Sequence, residues 1–145
     1  MIRMEWLATT DRDLDRNGLE ILDRDECLRL LATALIGRVG ISSGALPVIF
    51  PVNFRVVDET ILFKTSRGTK LDAATHGAVV AFEADTLDPF DHTGWSVLVT
   101  GVARPVTDPD ELLAIRPDTS PRWAPSGDEC VVAITTEIVT GRRLR

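Results

Sequence analysis

An all-β barrel with short peripheral helices is the fold this sequence predicts, and three observations predict it. Runs rich in Val, Ile, Phe and Thr recur at close spacing with period-two alternation, the pattern of half-buried strands. Helical segments do not alternate with these runs, so the βαβ rhythm of a parallel sheet is missing and antiparallel pairing is indicated. The segment 94–106, GWSVLVTGVARPV, is long for a strand and carries Gly101 in its middle, the mark of a bend or bulge. Long bent strands suit closed barrels. In all, six strands and three short helices are expected, with no internal repeat and no low-complexity tract.

From the N-terminus, residues 1–17 mix acidic and arginine side chains with little periodicity, so this arm is either disordered or laid against a partner chain; Trp6 and Leu7 favour docking. We read 1–21 as an arm and 22–145 as the domain proper. A helix begins at 22–26: Asp23 can cap it, Glu26 can answer three residues on, and Leu22 can staple onto Cys27. Leu28, Leu31, Ala32 and Leu35 then form one apolar stripe, 34–37 ends the helix, and 38–43 is a short strand before a turn centred on Gly44.

The segment 47–70, PVIFPVNFRVVDETILFKTSRGTK, is the element around which the rest is organised. Residues 48–57 form one strand, Asp58-Glu59 reverse the chain, and 60–65 return. The hairpin ends in Ser66-Arg67-Gly68-Thr69-Lys70, and Thr69 with Asp72 is an N-cap pair for a short helix over 70–75. Backbone N–H groups left free at a helix start, two cations and a glycine that permits close approach favour an anion, most simply a phosphate. A polar hairpin end with solvated Arg67 and Lys70 explains the same residues. The loop is neither a Walker loop nor the glycine fingerprint of a dinucleotide fold.

After that helix, GAVVAFEAD is a strand with Val80, Phe82 and Ala84 inward and Glu83 and Asp85 outward. Residues 86–93 read as a loop by composition, and its His92 has no second ligand nearby that would argue for metal. Residues 108–111 start a one- or two-turn helix, with Pro109 near its first position, that carries Leu112, Leu113 and Ile115 inward. Residues 116–128 contain three prolines and Trp123 and read as a structured loop, after which 129–140 close the sheet and GRRLR is left as a basic tail.

At 145 residues the chain is one domain by size, able to bury a core without disulfide or metal staples. A net charge of -6 and a pI near 4.9 argue against nucleic acid or an anionic membrane as main partner, so the basic loop is local. Cys27 and Cys130 lack metal-ligand spacing and read as buried, reduced thiols. Neither a signal-peptide core nor a bilayer-spanning run occurs, so a cytoplasmic location without membrane association is expected.

The ordered set FPVNF, FKTSRGTKLDAA, VAFEAD and GWSVLVTGVA, running within about 22–143, resembles the pyridoxamine 5′-phosphate oxidase-like family of flavin-binding split barrels. The resemblance implies a homodimer of six-stranded antiparallel split barrels with FMN in two sites at the subunit interface. It places the flavin ring along Pro51-Val52-Asn53 and Phe63-Lys64-Thr65, whose backbone groups can satisfy the pyrimidine edge, and the phosphate at Ser66, Arg67, Thr69 and Lys70. A planar ring needs a flat apolar strand surface, while a phosphate dianion needs charge-assisted donors at a fixed distance from it. Trp95 and Trp123 match aromatics brought near the ring, from the same or the second subunit; both also read as ordinary core residues.

The family's C-terminal Arg-x-His substrate grip is replaced here by APSGDEC, and tyrosine is absent from the chain. Oxidation of pyridoxamine phosphate is therefore not expected. The resemblance implies an oxidoreductase that passes electrons from a reduced nucleotide to a small molecule, with nitroimidazole-reducing enzymes among its analogues. A non-catalytic flavin-binding or redox-sensing module, and a reductase using a 5-deazaflavin coenzyme in the same groove, stand beside it. No catalytic acid–base pair stands out, as suits chemistry carried by the flavin.

Overall fold

In the computed structural model, residues 13–115 and 127–145 are described. Their elements are β1 (Glu20–Leu22), α1 (Arg24–Leu31), β2 (Ile36–Ser43), β3 (Leu46–Val57), β4 (Thr60–Ser66), α2 (Lys70–Ala74), β5 (Val79–Asp88), β6 (Thr93–Val106), α3 (Pro109–Ile115), β7 (Glu129–Ile134) and β8 (Ile138–Leu144). Neighbours in the sheet run β1-β8-β6-β5-β2-β3-β4-β7, all antiparallel, and an additional β6–β7 pairing closes the ring. The expected six-stranded barrel is the closed part, β2 to β7; β8 and β1 extend it from the edge of β6.

Inward alternation builds the core. Val39, Phe82, Ala84, Val97, Val99, Val132 and Ile134 are all fully buried, while Glu83 and Asp85 point outward as expected. A second cluster of Leu62, Val106, Ile115, Val131 and Ala133 lies on the other face of β4 and β7, with Leu112 packed against it. No helix of the described residues is long and apolar enough to cross a membrane.

Several local expectations are corrected. Residues 129–140 form two strands rather than one. β6 pairs with β8 as far as Thr100 and with β7 from Ala103, and the corner at Thr135 crosses in between. A Cβ on Gly101 would overlap the Thr135 carbonyl, so this glycine permits a strand exchange. Thr135 locks the crossing, its N–H donating to Val102 O at 3.1 Å and its Oγ1 accepting from Val102 N–H at 2.9 Å. GRRLR is no loose tail either: β8 runs to Leu144, and Arg142, Arg143 and Arg145 are all ion-paired. β5 continues through the expected 86–93 loop as far as Asp88, because its pairing with β6 outlasts the core it covers.

In α1, Asp23 caps by accepting from Glu26 N–H at 2.8 Å, but the Glu26 carboxylate turns to Arg29 and Arg143 instead of closing a capping box. The helix stops at Leu31, earlier than expected. Its buried stripe is accordingly Cys27, Leu28, Leu30 and Leu31, with Ala32 and Leu35 exposed. Leu113 is likewise exposed, because α3 turns only Leu112 and Ile115 toward the second cluster. The last part of the N-terminal arm is held: Leu14 bridges to Glu20, and β1 pairs with β8. Trp6, Leu7 and residues 116–126, Trp123 included, lie outside the described residues.

Candidate functional site

The central hairpin does not stay a hairpin along its length. β3 and β4 pair only from Val57↔Thr60 to Phe54↔Phe63; beyond that, β3 turns to β2, pairing Asn53 with Ile36 and Pro51 with Arg38, while β4 stays with β7. Asp58 and Glu59 make the reversal, both with positive φ (48° and 62°), as the twist of a tight hairpin requires. A fork therefore opens where Pro51-Val52-Asn53 faces Lys64-Thr65-Ser66. Every strand residue assigned to the ring lies within or at the apex of this fork.

Side-chain directions divide these residues. Val52, Phe63 and Thr65 point inward and are buried, so only their backbone groups can meet a ligand, whereas Pro51 and Asn53 are exposed on the outer face. Lys64 shares that outer side and sits 4.0 Å from the Glu129 carboxylate. The barrel thus offers backbone and two kinds of outward side chain at one place.

The 66–70 loop follows directly. Thr69 caps α2, its Oγ1 accepting from Asp72 N–H at 3.1 Å and donating to Ser66 O at 2.8 Å. Leu71 anchors the helix in the main core. Ahead of the helix two backbone donors are already used, Gly68 N–H donating to Asp72 Oδ2 at 2.8 Å and Arg67 N–H to Asp128 O at 2.8 Å, so the donors left for an anion are those of the first helical turn before Asp72. Gly68 has φ of 81°, which gives it the left-handed turn that brings its N–H onto Asp72. An anion at this loop would be met by those first-turn N–H groups and by side chains. Arg67 and Lys70 supply them, for both are exposed and neither forms an ion pair among the described residues.

Trp95 is not brought to this loop within one chain. It pairs with Thr86, seven residues along β5 from Val79, where the chain arrives from α2, or roughly 20 Å of strand. There it packs half-buried against the main core. His92, expected as a loop residue, occupies the exposed β5–β6 turn.

Two groups of residues were missed from sequence. Across the outer face from Pro51, Arg38 Nη1 lies 2.9 Å from Glu83 and 3.2 Å from Asp85. Burial, then the neighbouring Asp85 carboxyl, holds the Glu83 carboxyl above its usual range against the opposing pull of Arg38. These residues line a shallow cavity of about 500 Å³ with Gly40, Ile49, Ala81 and Leu98. Only strand register joins Arg38 to Glu83, so no local pattern announced the pair.

The second group gathers at Asp72. Its carboxylate takes Gly68 N–H, sits 3.3 Å from His76 Nε2 and accepts from the Cys130 thiol at 3.5 Å. The Gly68 N–H is the main reason its pKa lies below the usual carboxylate value. Cys130 is half-buried rather than buried, and burial together with Asp72 raises its pKa, so the thiol serves as a protonated donor. With Arg67 and residues of β6, β7 and α3 this group lines a cleft of about 350 Å³. No cluster of three or more His, Cys, Asp or Glu side chains able to hold a metal occurs among the described residues.

Comparison with known proteins agrees with this architecture. The family model described as pyridoxamine 5′-phosphate oxidase matches residues 23–143. An uncharacterized protein of Mycobacterium tuberculosis is 46% identical over 128 residues, covering 85% of this chain and 84% of its own length. The structure of a FAD binding protein from Mycobacterium smegmatis is 36% identical, covers 88% of this chain and 99% of that one, and superposes with a TM-score of 0.69. A FAD-binding protein from Mesorhizobium loti reaches the same TM-score of 0.69 at 18% identity, covering 88% of this chain and 99% of its own, and supports the fold alone.

Proposed function

We infer that this chain, which belongs to the pyridoxamine 5′-phosphate oxidase family, is a flavoprotein that binds FMN in the β3–β4 fork and acts as an oxidoreductase on a small molecule, with a reduced nucleotide as donor. One observation carries the reading: the fork and the cations Arg67 and Lys70, which form no ion pair among the described residues, are consecutive in the chain. The residues present fit such a group. Backbone at 51–53 and 63–65 meets the ring edge, Pro51 gives an apolar contact, and Ser66, Arg67, Thr69 and Lys70 surround the phosphate, with charge supplied by Arg67 and Lys70. Bound flavin supplies the electron transfer; the chain binds, orients and shields it. The FAD named for the M. smegmatis relative supports a flavin as the ligand. Residues 22–145 form the flavin-binding unit in this reading, in a cytoplasmic protein.

The functional unit is a homodimer. Ile49, Val79, Leu98 and Ile138 are 70%, 69%, 47% and 60% exposed, and strand register sets all four on the outer face that carries Pro51. A second copy covering this face would exclude water from the flavin groove beside it and could bring its own Trp95 to the ring. Leu98→Arg places a charge in the middle of that patch and is expected to yield monomer by light scattering with unchanged circular dichroism. A wild-type protein that is monomeric at micromolar concentration with flavin bound overturns the dimer.

The primary test is the absorption spectrum of the purified protein, then titration with FMN and FAD, then bleaching by NADH or NADPH. A flavin spectrum that a reduced nucleotide bleaches is expected. Protein that neither carries nor takes up any flavin refutes the reading.

A further inference from the structure

The cleft beginning at Arg67 extends away from the fork, and a single flavin phosphate would leave it unused. Its floor is apolar: Val106, Val131 and Leu112 belong to the second hydrophobic cluster or pack against it. Exposed Arg67 and His76 line its polar part together with Glu129, whose carboxylate lies 4.0 Å from Lys64 Nζ, and Thr107 lies on its exposed rim. The Asp72 carboxylate there is already committed to Gly68 N–H, His76 and the Cys130 thiol, so it fixes the His76 ring and is not left as a bare repulsive charge. At about 350 Å³ the cleft falls within the range of about 300–1,000 Å³ typical of small-molecule sites.

Resting on the flavin reading above, we propose that this cleft is a nucleoside-phosphate subsite that takes the adenosine phosphate of a dinucleotide flavin or of a reduced nicotinamide dinucleotide. The two phosphates of a dinucleotide share one bridging oxygen, so the second must lie one step from the first. A cation that belongs to the phosphate loop and also lines the adjoining cleft is what such a ligand needs, and Arg67 is that residue. His76 faces the same phosphate. The base lies on the apolar floor, where a flat ring loses water on one face, and Thr107 is within the rim as a hydroxyl partner for the sugar.

The test compares FMN, FAD and riboflavin binding by fluorescence in the wild type and in Thr107→Trp, which fills the rim from an exposed position, with His76→Ala as a second variant. FAD is expected to bind at least about tenfold more tightly than FMN, and Thr107→Trp to erase that ratio while leaving FMN affinity and Tm unchanged. If instead FAD has no advantage but 5′-AMP or NADH binds the FMN-loaded protein and is lost in Thr107→Trp, the subsite stands and its nucleoside comes from the donor. Equal FMN and FAD affinity with no binding of 5′-AMP or NADH overturns the proposal, as does a FAD preference that both variants leave intact. Should no flavin bind, the flavin reading fails by itself, and 5′-AMP binding sensitive to Thr107→Trp still decides the cleft.

Discussion

Two basic segments of this chain meet opposite fates. On β8, Arg142 lies 3.2 Å from Asp15, Arg143 reaches Glu20 at 3.4 Å and also Glu26, and Arg145 lies 3.3 Å from Glu20, so the segment stitches β1 and α1 to the barrel edge. At 66–70 neither cation forms an ion pair among the described residues, although the chain carries an excess of acids. The seam has spent its charges on the protein. The loop has kept its charges, and the Asp72 carboxylate beside it is held by the Gly68 N–H. Cations that form no ion pair among the described residues of a negatively charged protein, beside an open fork, are available for an anionic ligand.

The largest effect expected from this contrast is on the loop side. Lys70→Ala should weaken FMN roughly tenfold to a hundredfold, since a charge-assisted hydrogen bond to a charged ligand is worth about 1.5–3 kcal/mol. Riboflavin, which lacks the phosphate, should bind unchanged, and Tm without flavin should barely move because Lys70 is an exposed cation at a helix start. Equal weakening of FMN and riboflavin would indicate a damaged fork and count against the phosphate assignment.

On the seam side the pattern should invert. Arg143 is 19% exposed and pairs with Glu20 and Glu26, which are 17% and 28% exposed, so Arg143→Ala removes the cation these two half-buried carboxylates share and leaves Glu20 with Arg145 and Glu26 with Arg29. We expect Tm to fall by about 3–6 °C, with flavin affinity and the FMN-to-riboflavin ratio intact. Loss of flavin binding at unchanged Tm would erase the distinction between the two segments.

What was legible from sequence follows the range of the interactions. Thr69 capping Asp72 N–H, Asp23 capping Glu26 N–H and the Asp58-Glu59 reversal are decided within four residues, and each stands in the structure as read. Inward alternation of Val80, Phe82 and Ala84 was equally readable, because a strand's period is fixed by its backbone. The seam was not. Arg143 and Glu26 are 117 residues apart, and a run of arginines at a chain end looks the same whether it is solvated or paired. The fork falls between these cases: its residues were identified through the family resemblance, but that β3 leaves β4 at Phe54↔Phe63 follows from where β2 pairs, which no local pattern encodes. The cleft is the extreme case, assembled from Arg67, His76, Val106 and Val131 on four separate elements or loops.

The smallest effect is that of acid on the seam, and its sign follows from Glu26. Hydrogen bonds from Arg29 first and Arg143 second pull its pKa from 4.5 down to about 2. A carboxyl whose folded pKa is depressed contributes stability that is fully present above the unfolded value of 4.5 and is lost as pH falls through the folded value of about 2. In Glu26→Gln that titration is gone. The Tm difference between wild type and Glu26→Gln should therefore be constant above pH 5, shrink between about pH 4.5 and pH 2, and be smaller throughout at high salt, because Glu26 and Arg29 sit at the surface. Asp72 provides the internal control. Its pKa is lowered chiefly by a backbone N–H rather than by an arginine, so Asp72→Asn should show a far weaker salt dependence across the same acid range. If both variants respond alike to salt, the carboxylates of the two segments are held by the same kind of interaction, and the division between a charge-spent seam and a charge-keeping loop does not stand.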